Sequence, residues 1–146
     1  MRLVLDTNVW LDWIVFDDAG IAPIKHAVKH AQAQIFADEP CLQELRRVLG
    51  YRLRREVMTR ELQEECVAEC RRVVQLTAPL SVINRTLPVC RDSDDQKFLE
   101  LARDCEADYL VSKDRQLLIL SARRRPLLPF DVVTPRRLND VLVSMA

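Results

Sequence analysis

The chain has 146 residues, a formal net charge of zero, 49% apolar residues and 30% charged residues, as is ordinary for a globular protein with a single core. No apolar run reaches the roughly 18 residues that would span a membrane, and the balanced charge argues against strong nonspecific binding to nucleic acid. The first residues lack the pattern of a signal peptide, so we expect a cytoplasmic protein with no membrane partner.

The first half of the chain alternates short apolar runs with amphipathic helical patterns. The run RLVL stops at Asp6, and Thr7 or Asn8 is expected to cap the helix that follows. Asp38 is expected to cap a later helix that ends at Gly50. The other predicted elements are a strand at 34–37 and helices over 22–32, 40–49, 52–58 and 60–76.

The second half repeats this alternation. The patterns predict helices over 94–105, 114–122 and 136–143, and strands at 108–112 and 130–133. Strands that alternate with helices predict an α/β fold, and the continuously apolar strands are typical of a parallel sheet that is buried on both faces. We therefore expect one domain over residues 1–146, with a mostly parallel central sheet flanked by helices.

Cysteine and histidine give no convincing metal site. The five cysteines are an odd number without a CxxC pair, so we expect buried thiols in a reducing compartment. His26 and His30 stand one helical turn apart, which can suit a metal ion. Ala27 occupies the position where a zinc protease would have glutamate, so we interpret both as surface histidines.

The segment RDSDDQKFLELA at 91–102 places three aspartates, Asp92, Asp94 and Asp95, directly before a helical pattern. Aspartate is favoured at helix N-caps and in the first turn, which explains one or two of them. Three neighbouring like charges repel one another, so the third needs another reason. A solvated helix start and half of a metal site are both compatible with this segment.

Other acids are predicted to meet at one rim of the sheet. Asp6 directly follows the strand RLVL, and Asp114 closely follows the strand DYLVS. Ligands of open α/β sheets bind beyond the carboxyl ends of the strands, where Glu44 and the aspartates of RDSDDQ could join these two acids. Clustered carboxylates suit Mg²⁺ or Mn²⁺, which can activate water against a phosphodiester. The chain has no GxSxG, Walker A or GxGxxG motif.

Four segments in this order resemble the PIN domain family, and most closely its VapC-like toxins of bacterial toxin–antitoxin pairs. These segments are LVLDTNVWL at 3–11, PCLQELRRVL at 40–49, RDSDDQKFLELA at 91–102 and ADYLVSKDRQLL at 107–118. FDVVTPRRL at 130–138 is similar to the usual last strand and helix of the family. The resemblance implies a parallel sheet flanked by helices and metal-dependent ribonuclease activity.

The resemblance also assigns roles to individual residues. It implies that four acids are catalytic and bind Mg²⁺ or Mn²⁺, with a metal-activated water as the attacking group: Asp6, Glu44, Asp95 and Asp114. Supporting roles fall to Asn8, Ser112 (in place of a usual threonine) and Asp92, with Asp94 as a further secondary candidate. Two positions depart from the family: Lys113 replaces a common glycine, and Gln116 replaces a common acid.

The resemblance implies an RNA substrate, a cognate antitoxin and a possible homodimer, with the segment 52–76 as the expected partner surface. The basic residues that would draw RNA to the rim are Arg46, Arg47, Arg52, Arg54, Arg55 and Lys113. The alternative is a PIN-like RNA- or protein-binding module that has lost its metal through Lys113 and Gln116. A phosphotransfer or receiver-like domain also gathers acids, but the haloacid dehalogenase motif would need aspartate at position 8.

Overall fold

The computed structural model describes residues 1–53, 55–77, 93–122 and 128–146, without the side chains of residues 93 and 94. Within these ranges, five parallel strands form a central sheet. Its strands are β1 (Arg2–Leu5), β2 (Gln34–Ala37), β5 (Val74–Leu76), β6 (Tyr109–Val111) and β7 (Asp131–Val133), and a separate hairpin contains β3 (Arg52–Leu53) and β4 (Glu56–Val57). The helices are α1 (Thr7–Ile14), α2 (Ala22–Lys29), α3 (Glu39–Leu49), α4 (Arg60–Val73), α5 (Ser93–Asp104), α6 (Arg115–Ala122) and α7 (Pro135–Ser144).

The strand order of the central sheet is β5-β2-β1-β6-β7. The chain builds the sheet outward from β1 to β5, and then continues on the other side of β1 with β6 and β7. The order therefore reverses between β1 and β6, where a crevice opens beyond the carboxyl ends of the strands. This confirms the predicted α/β fold and its parallel sheet.

Both faces of the sheet are buried. Along β1, Leu3 and Leu5 face one apolar cluster, whereas Val4 faces another. The first cluster is covered mainly by α1, α2, α3, α4 and α7, and the second mainly by α5 and α6. Burial on both faces accounts for the continuously apolar strand sequences.

The predicted helix over 52–58 is wrong. Arg52 pairs with Val57 and Leu53 with Glu56 in an antiparallel hairpin, and Arg55 has a positive φ of 72°. A segment of seven residues is too short to offset the cost of helix nucleation unless it packs a continuous apolar face. Only part of this segment contacts the core, so the hairpin is preferred.

The predicted helix over 60–76 ends early, at Val73, and residues 74–76 form the edge strand β5. Ile35 of β2 pairs with Val74 in parallel register, and Ala37 pairs with Leu76. Strand formation here depends on an available partner edge, which helical periodicity does not reveal.

The helix caps were predicted in part. The Asp38 carboxylate accepts the Cys41 N–H at 3.0 Å, as expected, and α3 ends at Gly50. The cap of α1 is Asp6 itself, not Thr7 or Asn8, since Asp6 Oδ1 accepts the Val9 N–H at 2.9 Å.

The expected burial is confirmed for three of the cysteines but not for Cys66, and the expected exposure is confirmed for both histidines. Cys41, Cys70 and Cys105 are buried free thiols, Cys66 is half-buried, and Cys90 lies outside the described residues. His26 and His30 are exposed, with ring centroids 4.0 Å apart. None of the described helices is both long and apolar enough to cross a membrane.

Candidate active site

The site forms where β1 and β6 end side by side. Asp6 follows β1, is only 3% exposed, and donates its backbone N–H to Val111 O at 3.1 Å. Ser112 follows β6, and its hydroxyl donates to Asp6 Oδ2. The same hydroxyl oxygen accepts the Asp114 N–H at 2.9 Å. One buried serine thus joins the first and fourth predicted acids.

The Asp6 carboxyl group has a perturbed acidity. Burial raises its pKa from 3.8 to about 6, because the ionised form loses its hydration. Hydrogen bonds from Ser112 and the Val9 N–H oppose this shift, as does the positive charge of Lys113, whereas the negative charge of Asp114 adds to it. The two carboxylates are therefore close enough to repel each other, and a cation between them would relieve that repulsion.

Asp114 is fixed by the start of α6. Its Oδ1 accepts the Gln116 N–H at 2.8 Å and lies 3.4 Å from the Leu117 N. These contacts to the first turn of the helix leave Oδ2 for another contact. Asp114 is half-buried, so it faces the crevice while its position is determined by the helix.

Glu44 enters the site from α3 and is held on both of its oxygens. The Thr7 hydroxyl donates to Oε2 at 2.6 Å, within a buried contact. Lys97 Nζ lies 3.2 Å from Oε1, and an Arg47 guanidinium nitrogen lies 3.5 Å from the same oxygen. Glu44 is only 9% exposed, so these cations compensate for much of the cost of its burial.

All four predicted acids line one cleft of about 300 Å³. Asp95 reaches it from α5, and its Oδ2 is buried. Asn8 lines the cleft as well, as do Arg47 and Tyr51 on the side of α3. The full lining is Asp6, Thr7, Asn8, Glu44, Arg47, Val48, Tyr51, Asp95, Phe98 and Asp114.

The other predicted site residues are placed differently. Arg46 pairs with Glu64 of α4 at 2.9 Å and is not among the lining residues. Arg52 is exposed on the hairpin. Asp92, Arg54 and the side chain of Asp94 lie outside what the structure describes.

Sequence reasoning did not single out Asp12 or Lys97, and it considered Thr7 only as a helix cap. Asp12 is 7% exposed on α1, and its Oδ2 lies 2.6 Å from Lys113 Nζ. An acid within the apolar stretch VWLDWI was a signal that it needed a partner. For Lys97 there was no comparable signal, because its partner Glu44 is 53 residues away in the chain.

The acids fit a divalent cation by their chemistry. Among the described residues, no three His, Cys, Asp or Glu side chains are grouped closely enough to hold a metal ion by themselves. Mg²⁺ seldom needs such a group, because it commonly binds one or two carboxylates and completes its shell with water and substrate phosphate. Asp6 and Asp114, which already repel each other, are suitable donors for that arrangement.

The chain belongs to the PIN domain family, whose family model matches residues 2–116. PIN domains are generally nucleases and typically use divalent metal ions. No curated protein and no solved structure matches the chain. The matched range includes all four acids of the cleft and ends at Gln116, before β7 and α7.

Proposed function

We propose that this protein is a Mg²⁺- or Mn²⁺-dependent endoribonuclease. The observation that carries the proposal is the convergence of Asp6, Glu44, Asp95 and Asp114 on one cleft at the point where the strand order reverses. These acids come from four separate parts of the chain. A stable fold has no need to gather them at one place, whereas cation-dependent phosphodiester chemistry does.

The residues of the cleft would have distinct roles. Asp6 and Asp114 would hold the cation, with the Ser112 hydroxyl orienting Asp6. Asp95 faces the same space from α5. A bound divalent cation would supply an activated water and stabilise the charge that develops at the phosphodiester. Glu44 would keep the Lys97 and Arg47 cations beside the cleft.

We further propose that the protein is the toxin of a type II toxin–antitoxin pair. Beyond the resemblance of its motifs, support comes from an apolar groove of about 550 Å³ between the end of α1, the hairpin and α4. Val57 and Leu62 line this groove, yet they are 60% and 48% exposed. The apolar face of an amphipathic antitoxin helix would bury them. A homodimer that Leu62→Glu disrupts would instead assign the groove to self-association.

A metal-free binding module is the second candidate. Two observations favour it: Glu44 is already held by Thr7, Lys97 and Arg47, and Lys113 places a cation near Asp6. Such a module would bind RNA or protein in the cleft without cutting it. It predicts that Mn²⁺ leaves the thermal stability of the protein unchanged.

A thermal-shift titration with MnCl₂, followed by an RNA cleavage assay, tests the ribonuclease proposal. Wild type should gain melting temperature and cleave RNA, whereas Asp6→Asn, Asp95→Asn and Asp114→Asn should lose cleavage and show smaller shifts. Asp140→Asn, an exposed acid on α7, is the matched control and should behave as wild type. No shift and no cleavage in wild type would favour the binding module.

Expression in a bacterial host tests the toxin assignment. Wild type should arrest growth, and Asp6→Asn should not. Normal growth with active, soluble wild-type enzyme would contradict a toxin role and leave the ribonuclease proposal standing.

A further inference from the structure

A lysine stands beside the two acids that are the most suitable donors for a divalent cation. Lys113 directly follows Ser112, whose hydroxyl donates to Asp6. It directly precedes Asp114, whose N–H donates to the oxygen of the same hydroxyl. The positive charge of Lys113 is close enough to Asp6 to lower the pKa of that carboxyl group. An ammonium group at this position can compete with a divalent cation for the same carboxylates.

The structure directs this ammonium group elsewhere. Lys113 Nζ lies 2.6 Å from Asp12 Oδ2 on α1, and Lys113 does not line the described cleft. The side chain of Lys113 is 49% exposed, whereas that of Asp12 is only 10% exposed. A lysine side chain has four rotatable carbons and many accessible positions, so the contact with a buried carboxylate selects one of them.

The position of Asp12 is unfavourable for an acid unless a cation is present. Asp12 belongs to the stretch VWLDWI of α1, and its neighbours Leu11 and Trp13 are buried. Burial of an ionised carboxylate is costly without a partner of opposite charge. The packing of α1 does not require an acid at this position. Asp6 caps the same helix, so one helix carries both a candidate cation ligand and the acid that holds the lysine.

We propose that Asp12 is a positioning residue that holds the Lys113 ammonium group away from Asp6 and Asp114, so that these carboxylates stay open to Mg²⁺ or Mn²⁺. The inference rests on the proposed ribonuclease function, which requires the cation. It adds a residue that acts through Lys113 and contacts neither the cation nor the RNA. Without the charge of Asp12, the nearby acids of the cleft become partners for Lys113, whose charge then repels an incoming divalent cation.

Calorimetric titration with MnCl₂ at pH 7.5 tests this role without any need for RNA cleavage. Asp12→Asn keeps the size and shape of the side chain but removes its charge. It should release Lys113 and weaken Mn²⁺ binding about tenfold, since the ammonium group and the cation repel each other. Lys113→Met added to Asp12→Asn removes the released charge and should restore at least the wild-type affinity.

This recovery separates the proposed role from a merely structural one. If the ion pair only tied α1 to the segment that carries Asp114, a second substitution could not repair the first. The single variant Asp12→Asn and the double variant would then bind Mn²⁺ equally weakly. Lys113→Met alone should bind Mn²⁺ at least as tightly as wild type, and it tests the proposal even if Asp12→Asn does not fold. Weaker binding by Lys113→Met would overturn the proposal.

A second lysine–aspartate pair supplies the matched control. Lys25 Nζ lies 3.0 Å from Asp17 Oδ1, and neither residue lines the cleft. Asp17→Asn breaks an ion pair of the same kind and changes the net charge of the protein by the same amount. It should leave the Mn²⁺ affinity at the wild-type value. A loss as large as that of Asp12→Asn would indicate a general effect of net charge and would overturn the proposal.

The outcomes distinguish this inference from the ribonuclease proposal. If wild type cleaves RNA with Mn²⁺ but the double variant binds Mn²⁺ as weakly as Asp12→Asn, the positioning role fails and the ribonuclease proposal stands. If the affinity falls in Asp12→Asn and recovers in the double variant while wild type leaves RNA intact, the positioning role stands and the ribonuclease proposal fails. Equal Mn²⁺ affinities of wild type and Asp12→Asn would overturn the positioning role, as would absence of Mn²⁺ binding in every variant.

Discussion

Ser112 donates its hydroxyl hydrogen to Asp6 Oδ2, which links the end of β6 to the acid at the end of β1. Through the same oxygen it accepts the Asp114 N–H at 2.9 Å. Ser112 is fully buried, so water cannot readily replace either contact. One hydroxyl group thus contacts both Asp6 and Asp114 and helps to set their relative position.

Ser112→Ala should lower the free energy of unfolding by about 1–2 kcal/mol, because the buried Asp6 carboxyl group and the half-buried Asp114 N–H each lose a hydrogen bond. It should also raise the pKa of Asp6, since the Ser112 hydrogen bond lowers it. Activity that needs the Asp6 carboxylate would then begin at a higher pH. Denaturant unfolding and a pH–rate profile check this. Ser112→Thr keeps the hydroxyl and is the matched control; equal profiles for the alanine and threonine variants would contradict the role.

Asp6→Asn should stabilise the metal-free protein above pH 6. The folded-state pKa of Asp6 is raised from 3.8 to about 6, so the folded protein binds this proton more tightly than the unfolded chain does. The free energy of unfolding of the wild-type protein consequently falls by up to about 3 kcal/mol as the pH rises from about 4 to 6. Asparagine has no such ionisation and can still accept the Val9 N–H. Urea unfolding in EDTA at pH 4 and pH 7.5 tests whether the gain appears only at the higher pH.

Glu44 and Lys97 should be energetically coupled. Lys97 Nζ lies 3.2 Å from Glu44 Oε1. The side chains of Glu44 and Lys97 are only 8% and 24% exposed, so solvent screens their charges little. A double-mutant cycle of Glu44→Gln and Lys97→Met should give a coupling of about 1–2 kcal/mol in unfolding free energy. The Glu39–Arg71 ion pair serves as the comparison for this coupling energy. Its distance is shorter, at 2.7 Å, but its side chains are much more exposed. A larger coupling for Glu39–Arg71 would contradict burial as the deciding factor.

Lys113→Met should lower the free energy of unfolding, and it should change the free energy of RNA binding by a smaller amount. The Lys113 ammonium is 2.6 Å from Asp12 Oδ2, and its removal leaves a buried carboxylate without this partner. Because Lys113 is 49% exposed, solvent screening limits the expected loss to about 1 kcal/mol. Urea unfolding measures the loss. A large rise in the Kd for RNA with unchanged stability would show that Lys113 contacts phosphate instead.

The features that could be predicted from the sequence are those that follow directly from the burial and direction of single strands. Buried parallel strands must be apolar along their whole length, and the carboxyl ends of such strands lie at one edge of the sheet. The sequence alone therefore predicts that Asp6 and Asp114 share that edge. The hairpin at 52–57 and the strand β5 could not be found in this way, because their stability depends on a neighbouring edge. The contact of Lys97 with Glu44 joins two helices that are distant in the chain, and no sequence spacing encodes it.

The order of the strands has a consequence for the chain as it is synthesised. Asp6 and Ser112 are 106 positions apart, so the first acid gains its orienting hydroxyl only after β6 has emerged and docked beside β1. A nascent chain that ends before β6 would carry Asp6, Glu44 and Asp95, but neither Ser112 nor Asp114. We expect ribosome-bound fragments that end at residue 106 to leave RNA intact, even with abundant Mn²⁺. Under the proposed function, the protein would therefore leave its own transcript and ribosome intact at least until β6 has been synthesised and has docked beside β1.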